Sequence, residues 1–307
     1  MLLNQKVVIF EMADKQIYTF TNEIDEVEIC SLGAKVTVRS TEGTALTAEY
    51  DNPKDKPELC AVLCGSRLTL RETIGFHIFS GKPEGDYAIT VTLPNKLYKL
   101  LKINTASGGV DLSDSAVTAE KFSLSTASGD IRVNAFFENV KVNTASGNIT
   151  LTNPSDDKKA QSVDISAASG DILVENYRAE KFSISSISGK TVYNNASGTG
   201  SIHVTSGEIN VNYAQWDGDL KIGAVSGKVL VTLPENSGAN IKFDGVSGTV
   251  RTDLNSAGEF MNLGKGTDGG FGGENKHNIG INLVSGTVTV SKSGGVTVEF
   301  AEKEAEA

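Results

Sequence analysis

From residue 101 to residue 290, apolar and polar positions alternate in short blocks, and block after block ends in the same dipeptide. Leu101-Lys-Ile-Asn-Thr-Ala-Ser107-Gly108, Phe122-Ser-Leu-Ser-Thr-Ala-Ser128-Gly129 and Val140-Lys-Val-Asn-Thr-Ala-Ser146-Gly147 are the clearest copies. The series continues to Ser169-Gly170, Ser188-Gly189, Ser226-Gly227, Ser247-Gly248 and Ser285-Gly286, with a shortened copy at Ser206-Gly207. Successive serines lie 18 to 23 residues apart, except for a last interval of 38 that holds two periods or one period plus an insertion. As a rule, the positions six and four before the serine are apolar and those five and three before it are polar, as in Lys141/Asn143 and Lys242/Asp244. A period of two sends alternate side chains to opposite faces, so each block is a strand with one buried face. After the glycine the alternation resumes, with inward pairs such as Ile131/Val133, Ile149/Leu151 and Val229/Val231. Glycine permits positive φ at such a corner, and a serine hydroxyl can bond the backbone of the turn.

One strand–corner–strand unit cannot bury its apolar face alone, so like units must stack. The expected fold is all-β: a right-handed parallel β-helix, or solenoid, with coils of about 20 residues. About 98% of parallel crossovers are right-handed. A two-sheet sandwich of hairpins is the alternative, and the repetition of like residues at inward positions favours the in-register parallel stack. The residue before the serine is Ala106, Ala127, Ala145 or Ala168 in early units and Ile187, Val225, Val246 or Val284 later, as in a corner that widens along the molecule. Residues 1–100 carry degenerate strands and are expected to form irregular first coils that cap the repeat of residues 101–300, with 301–307 a charged tail. Within the first part, Pro57 to Gly65 reads as strand and turn leading into Arg67-Leu-Thr-Leu-Arg71, in preference to a short helix. Gly258 to Gly280 reads as a long loop carried on one coil, and the charges of Glu299 to Ala307 as a guard on the last edge.

Composition narrows the function. With 28 Lys+Arg against 38 Asp+Glu the 307-residue chain carries a net charge of −10, which repels phosphate backbones, so no nucleic-acid partner is expected. No uncharged apolar run approaches the ~18–20 residues that span a bilayer, so neither is direct membrane insertion. The start, Met1 to Phe10 followed by Glu11 and Asp14, lacks the basic and long apolar regions of an export signal. The expected location is therefore the cytoplasm as the sequence stands, or the cell surface if a leader has been removed. Cys30, Cys60 and Cys64 are few and odd in number, which fits structural thiols in a reducing compartment.

Stacking brings the residues after each Ser-Gly into one column, Asp130, Asn148 and Asp171, followed by Lys190, Glu208 and Lys228. A solvated salt-bridge ladder is the plain reading of this column, and Ca²⁺ held by Asp130, Asn148 and Asp171 the weaker one, because Ca²⁺ takes about 6–8 oxygens. No cofactor is expected. Three positions after the glycine the side chains should face out, and Leu173, Val192 and Leu230 stand there among Arg132, Asn210 and Arg251. Near them fall Tyr177, Tyr193, Tyr213 and the only tryptophan, Trp216. Aromatic rings with a polar edge can stack on sugars, so these residues with Leu173 and Leu230 form a candidate binding face; the alternative is that the rings plug corners between coils. The case for an enzyme is thin: His77, His203 and His277 are scattered, and a serine repeated in every unit is punctuation rather than a nucleophile. Gly264-Lys-Gly266-Thr-Asp-Gly269 matches a dinucleotide fingerprint in letters only, since Gly-Phe-Gly-Gly follows where a helix must begin.

The alternating strand, Thr-Ala-Ser-Gly-Asp/Asn-Ile, a second alternating strand, and Val-Thr-Leu-Pro at 91–94 and 231–234 together resemble the bacterial putative-adhesin family of β-strand-repeat proteins, first known as a domain of unknown function. The resemblance covers roughly residues 20 to 300. It implies a β-helix-like fold, no catalytic residues to carry over, and a link to adhesion or envelope stress. The functional expectation is a non-catalytic adhesin-like or scaffold protein that presents a rigid surface to a protein or glycan partner, its oligomeric state open. Two alternatives stand beside it. One is a polysaccharide lyase or hydrolase using Asp130, Asp171 and Arg132, and the other an intracellular envelope-stress component.

Overall fold

Burial follows the alternation. Leu101, Ile103, Phe122, Leu124, Val140, Val142, Val163, Ile165, Phe182 and Ile184 are buried, while the polar residues between them reach the outer surface. The computed structural model describes residues 7–12, 15–51, 57–73, 87–113, 116–155, 157–254, 261–273 and 275–293. Among these residues every regular element is a β-strand, and no helix is long and apolar enough to cross a membrane.

The chain opens with β1 (Val7–Met12), β2 (Lys15–Phe20), β3 (Glu26–Ser31), β4 (Lys35–Thr41), β5 (Leu46–Asp51), β6 (Glu58–Cys64), β7 (Arg67–Thr73) and β8 (Ala88–Pro94). Five rungs of two strands follow: β9 (Leu97–Thr105) with β10 (Val110–Leu112), β11 (Thr118–Thr126) with β12 (Ile131–Asn134), β13 (Phe137–Thr144) with β14 (Ile149–Thr152), β15 (Ala160–Ala167) with β16 (Ile172–Glu175), and β17 (Ala179–Ser186) with β18 (Lys190–Ala196). In the next two rungs one strand runs through the corner, β19 (Thr199–Tyr213) and β20 (Leu220–Leu233). Last come β21 (Ser237–Gly245), β22 (Thr249–Thr252), β23 (Met261–Leu263), β24 (Asp268–Gly272), β25 (Asn275–Leu283) and β26 (Thr287–Lys292).

Equivalent strands of neighbouring rungs pair in parallel. On the first sheet Thr105, Thr126, Thr144, Ala167, Ser186 and Val204 are successive register partners. On the second, Leu112, Val133, Leu151, Val174, Tyr193 and Val211 form the matching column. The inward side chains of the two sheets make one continuous hydrophobic core. These parallel ladders set aside the sandwich of hairpins.

Chain order and stacking order differ at both ends, which corrects the expectation of coils laid down in simple succession. On the first sheet β3 lies between β7 and β9, and β6 closes the edge as an antiparallel partner of β7. On the second, β4 lies between β8 and β10, and β5, β2 and β1 extend the edge in antiparallel pairs. At the far end, β25 and β26 sit between β20 and the earlier strands β21 and β22. The 38-residue interval is thus one period, carrying β22 and β25, plus an insertion that carries β23 and β24. The glycine-rich stretch expected as a loop contains β23 and β24, which pair antiparallel to β22 and β21 and cap that outer rung. Alternation reports which face is buried but not which strand is the neighbour. The guard expected at 299–307 lies outside the described residues, as does His77.

The hairpin read from Pro57 to Arg71 is present, turning at Gly65 with φ of 62°. Cys60 and Cys64 stand exposed on β6, Cys30 is half-buried on β3, and all three are free thiols. At the corners the serine does a different job from the one expected. Ser146 Oγ donates to Ala127 O (3.4 Å), Ser169 Oγ to Ala145 O (3.3 Å) and Ser188 Oγ to Ala168 O (3.3 Å), so the hydroxyl ties each rung to the preceding one. The local turn is closed instead by the buried hydroxyl two residues earlier, as in Thr126 Oγ1 to Ser128 O (2.7 Å) and Thr144 Oγ1 to Ser146 O (2.9 Å). The corner glycine is required twice over at Gly147. Its φ is +122°, and a Cβ there would lie 2.3 Å from the carbonyl oxygen of Gly129 in the preceding rung.

Candidate binding groove

The aromatic residues proposed from the sequence as a sugar-stacking face are interior. Tyr177 and Tyr193 have no exposed surface, and Tyr213 and Trp216 are 6% exposed. The Tyr177 hydroxyl accepts from the Phe137 N–H (2.7 Å) and donates to Ala135 O (3.2 Å), Tyr193 donates to Tyr177 O, and Trp216 Nε1 donates to Gly238 O (2.9 Å). Edge-on contacts join Phe182 to Tyr193 (5.1 Å between centroids) and Tyr213 to Trp216 (4.8 Å). Burial pushes the Tyr177, Tyr193 and Tyr213 hydroxyls well above the usual phenol range. A ring closed inside the core cannot meet a sugar, so this part of the expectation is corrected: the rings plug the stack. Parity already separates Tyr193, one residue past the outward Val192, from that face. Leu173 and Leu230 do lie on the outer face, half-buried, in one register column with Val192 and Asn210.

The column after the corner is a hydrogen-bond ladder. Asp130 Oδ1 accepts from the Asn148 N–H (3.0 Å), Asn148 Oδ1 from the Asp171 N–H (3.0 Å), and Asp171 Oδ1 from the Lys190 N–H (2.9 Å). Each side chain therefore caps the backbone of the next rung. Among the described residues no group of three or more His, Cys, Asp or Glu side chains is placed to hold a metal ion. Arg132 is exposed on the second sheet.

A concavity lies on the other side of the corner. A groove of about 750 Å³ runs along the rungs from Cys30 to Ile187. One wall is the polar column three residues before the serine, Asn104, Ser125, Asn143, Ser166 and Ser185, with Cys30 at its head. The other wall is the column just before the serine, Ala106, Ala127, Ala145 and Ala168. Between them the chain turns Thr105, Thr126 and Thr144 inward, where the threonine hydroxyls serve the corner. The polar wall groups stay half-buried and touch only weakly along the column, Asn143 Nδ2 reaching Ser125 Oγ at 3.5 Å.

Beyond Ile187 the trough continues as a second cavity of about 320 Å³, with His203, Gly223 and Asn282 on the polar side and Thr205 and Val225 on the other. Along this half the small residues give way to exposed aliphatics, Ile187 (55%), Val225 (49%), Val284 (50%) and Val246 (77%). The change from alanine to larger residues was visible in the sequence. The groove itself was not, because the signal is a small apolar residue at an outward position two away from a polar one.

At the inserted C-terminal rung, Asp219 accepts from the Asn278 N–H (2.8 Å) and side-chain amide (3.2 Å), and His277 Nδ1 stands 3.9 Å away with its ring against Trp216. The backbone hydrogen bond from Asn278 holds the Asp219 carboxyl below the usual carboxylate range against the opposing effect of burial. The link joins β20 to β25 across the break in chain order.

Comparison with known proteins gives a family and distant structures. No curated protein sequence matches the chain. A putative adhesin from Bacteroides fragilis aligns with 92% of this chain and 98% of its own at 12% identity, with a TM-score of 0.41. One from Parabacteroides distasonis covers 90% of this chain and 96% of its own at 12% identity and TM-score 0.44. A putative lipid binding protein from the same organism covers 91% and 97% at 15% identity and TM-score 0.44. The family model described as Toastrack DUF4097 matches residues 24–291, from just before β3 into β26, and the chain belongs to that family.

Proposed function

We propose that this protein is a non-catalytic, adhesin-like scaffold: a right-handed β-helix whose corner groove receives a protein or glycan partner at the cell envelope. The observation that carries the reading is the groove, about 750 Å³ in volume and lined in four consecutive rungs by an Asn or Ser facing an alanine. Backbone ladders hold both walls on strands, so the surface is rigid before any partner arrives and binding costs little ordering entropy. The outer column of Leu173, Val192 and Leu230 offers a smaller apolar face on the opposite sheet, available to the same partner.

The test is capture of envelope glycans and envelope proteins by the purified chain, in parallel with Ala127→Glu/Ala145→Glu, which fills the groove with charge at exposed positions. Binding by the wild-type chain that is lost in the double variant supports the reading. Binding that survives it, or a wild-type chain that captures neither class, overturns it. Protease treatment of intact cells, followed by immunoblot, checks the envelope location separately.

A further inference from the structure

Building on that reading, we infer that the groove takes an uncharged linear polysaccharide laid along the stack axis, one sugar against roughly one rung. Three observations carry the inference. First, the groove is a one-dimensional lattice. Asn104, Ser125, Asn143, Ser166 and Ser185 are register partners in five consecutive rungs, so an amide or hydroxyl recurs at the strand spacing of about 4.8 Å. A ligand that uses all of them must itself repeat, with hydroxyl groups at a similar step. Second, among the described residues no Asp, Glu, Lys or Arg side chain lines either cavity, and the whole chain carries a net charge of −10. Acidic polymers find no counter-charge and meet an unfavourable field. Third, the facing wall of alanines is flat and apolar, which suits the C–H faces of sugar rings.

Competing occupants fit less well. An acyl chain would cover the amide and hydroxyl wall without supplying hydrogen bonds, which is costly for every group covered. An extended peptide advances about 3.3 Å per residue, so its groups fall out of step with the rungs within a few residues.

The test is a panel of immobilised neutral polysaccharides (glucans, mannans, xylans and galactans) beside polygalacturonate and alginate, followed by titration of an oligosaccharide series from any neutral polymer retained. The expected result is retention of a neutral polymer, affinity that rises with chain length and levels off once the groove is filled, and a weakening of about five- to tenfold for Asn143→Ala, as for the loss of one or two hydrogen bonds. Asn143 is half-buried and outward, so circular dichroism and an unchanged unfolding midpoint establish that this variant is folded. Retention of the acidic polymers alone, or affinity independent of chain length, overturns the inference. Capture of an envelope protein with no neutral polysaccharide bound also overturns it, while leaving the scaffold reading intact. Failure of every glycan and every envelope protein removes both.

Discussion

The Ser31 hydroxyl donates to Glu72 Oε2 at 2.9 Å, and the same oxygen accepts from the backbone N–H groups of Leu32 and Gly33, the latter at 3.3 Å. In later rungs the equivalent corner N–H donates to the rung before it, as Ala127 N does to Thr105 O (3.3 Å) and Ser128 N to Ala106 O (3.1 Å). At β3 the carboxylate of Glu72, 4% exposed, accepts these two N–H groups instead. Its second oxygen accepts from the Tyr50 hydroxyl at 3.2 Å. Glu72→Ala should lower stability by roughly 2–4 kcal/mol, because it strands several covered donors. Glu72→Gln, which keeps one acceptor oxygen, should cost less. Urea midpoints of the two variants check the order, and an Ala variant as stable as the wild type would show that water replaces the carboxylate.

Gly147→Ala combines a φ of +122° with a Cβ 2.3 Å from the Gly129 oxygen, so the rung must move away from its neighbour. A loss on the order of 3 kcal/mol or more is expected. Gly65 makes the contrast: its φ is +62° and nothing lies within 4 Å of an added Cβ, so Gly65→Asn should unfold within about 0.5 kcal/mol of the wild type. Equal costs at the two sites would mean that stacking clash plays no part.

Thr191 occupies an inward position between Ile172 and Ile209, has no exposed surface, and its hydroxyl finds no hydrogen-bond partner among the described residues. Thr191→Val replaces that hydroxyl with a methyl group of similar size. The variant should be more stable by about 1 kcal/mol in thermal unfolding. A destabilised variant would reveal a partner for the hydroxyl.

Asp219 sets an acid limit on the inserted rung. Its carboxyl is depressed in the folded state, chiefly by the Asn278 backbone hydrogen bond, so its contribution is fully present above the unfolded value near 4 and is lost as pH falls through the folded value. At neutral pH the wild type should therefore melt above Asp219→Asn, and the gap should close below about pH 4. Melting temperatures of both proteins from pH 7 to 3 test this, and a constant gap would rule the link out.

What the sequence made legible was local. Val142 and Ile165 announce their buried face through strict alternation, and Ser146-Gly147 announces a corner, because period and turn chemistry act within a few residues. Neighbour choice is not local. Nothing near Ile279 or Val288 says that they lie beside Leu220 and Val229 rather than follow Ile241 and Val250 in the stack. Gly269 and Gly270 concealed β24 because glycine carries no apolar signal, yet an outer strand needs only backbone pairing. Trp216 was read from its chemistry instead of its position, and its Nε1 is satisfied inside the core by Gly238 O.

The late insertion of β25 and β26 has a consequence for synthesis on the ribosome. A chain emerging N-terminal end first can add rungs one by one as far as β20, but the outer rung of β21 and β22 is made before the one that must hold it in place. Until residues 275–292 emerge, β20 and β21 each present a bare strand edge, the kind of edge that recruits a second chain. Premature termination anywhere in the preceding glycine-rich segment therefore releases a product with two adhesive edges instead of a merely shorter stack, and such products should be found in aggregates.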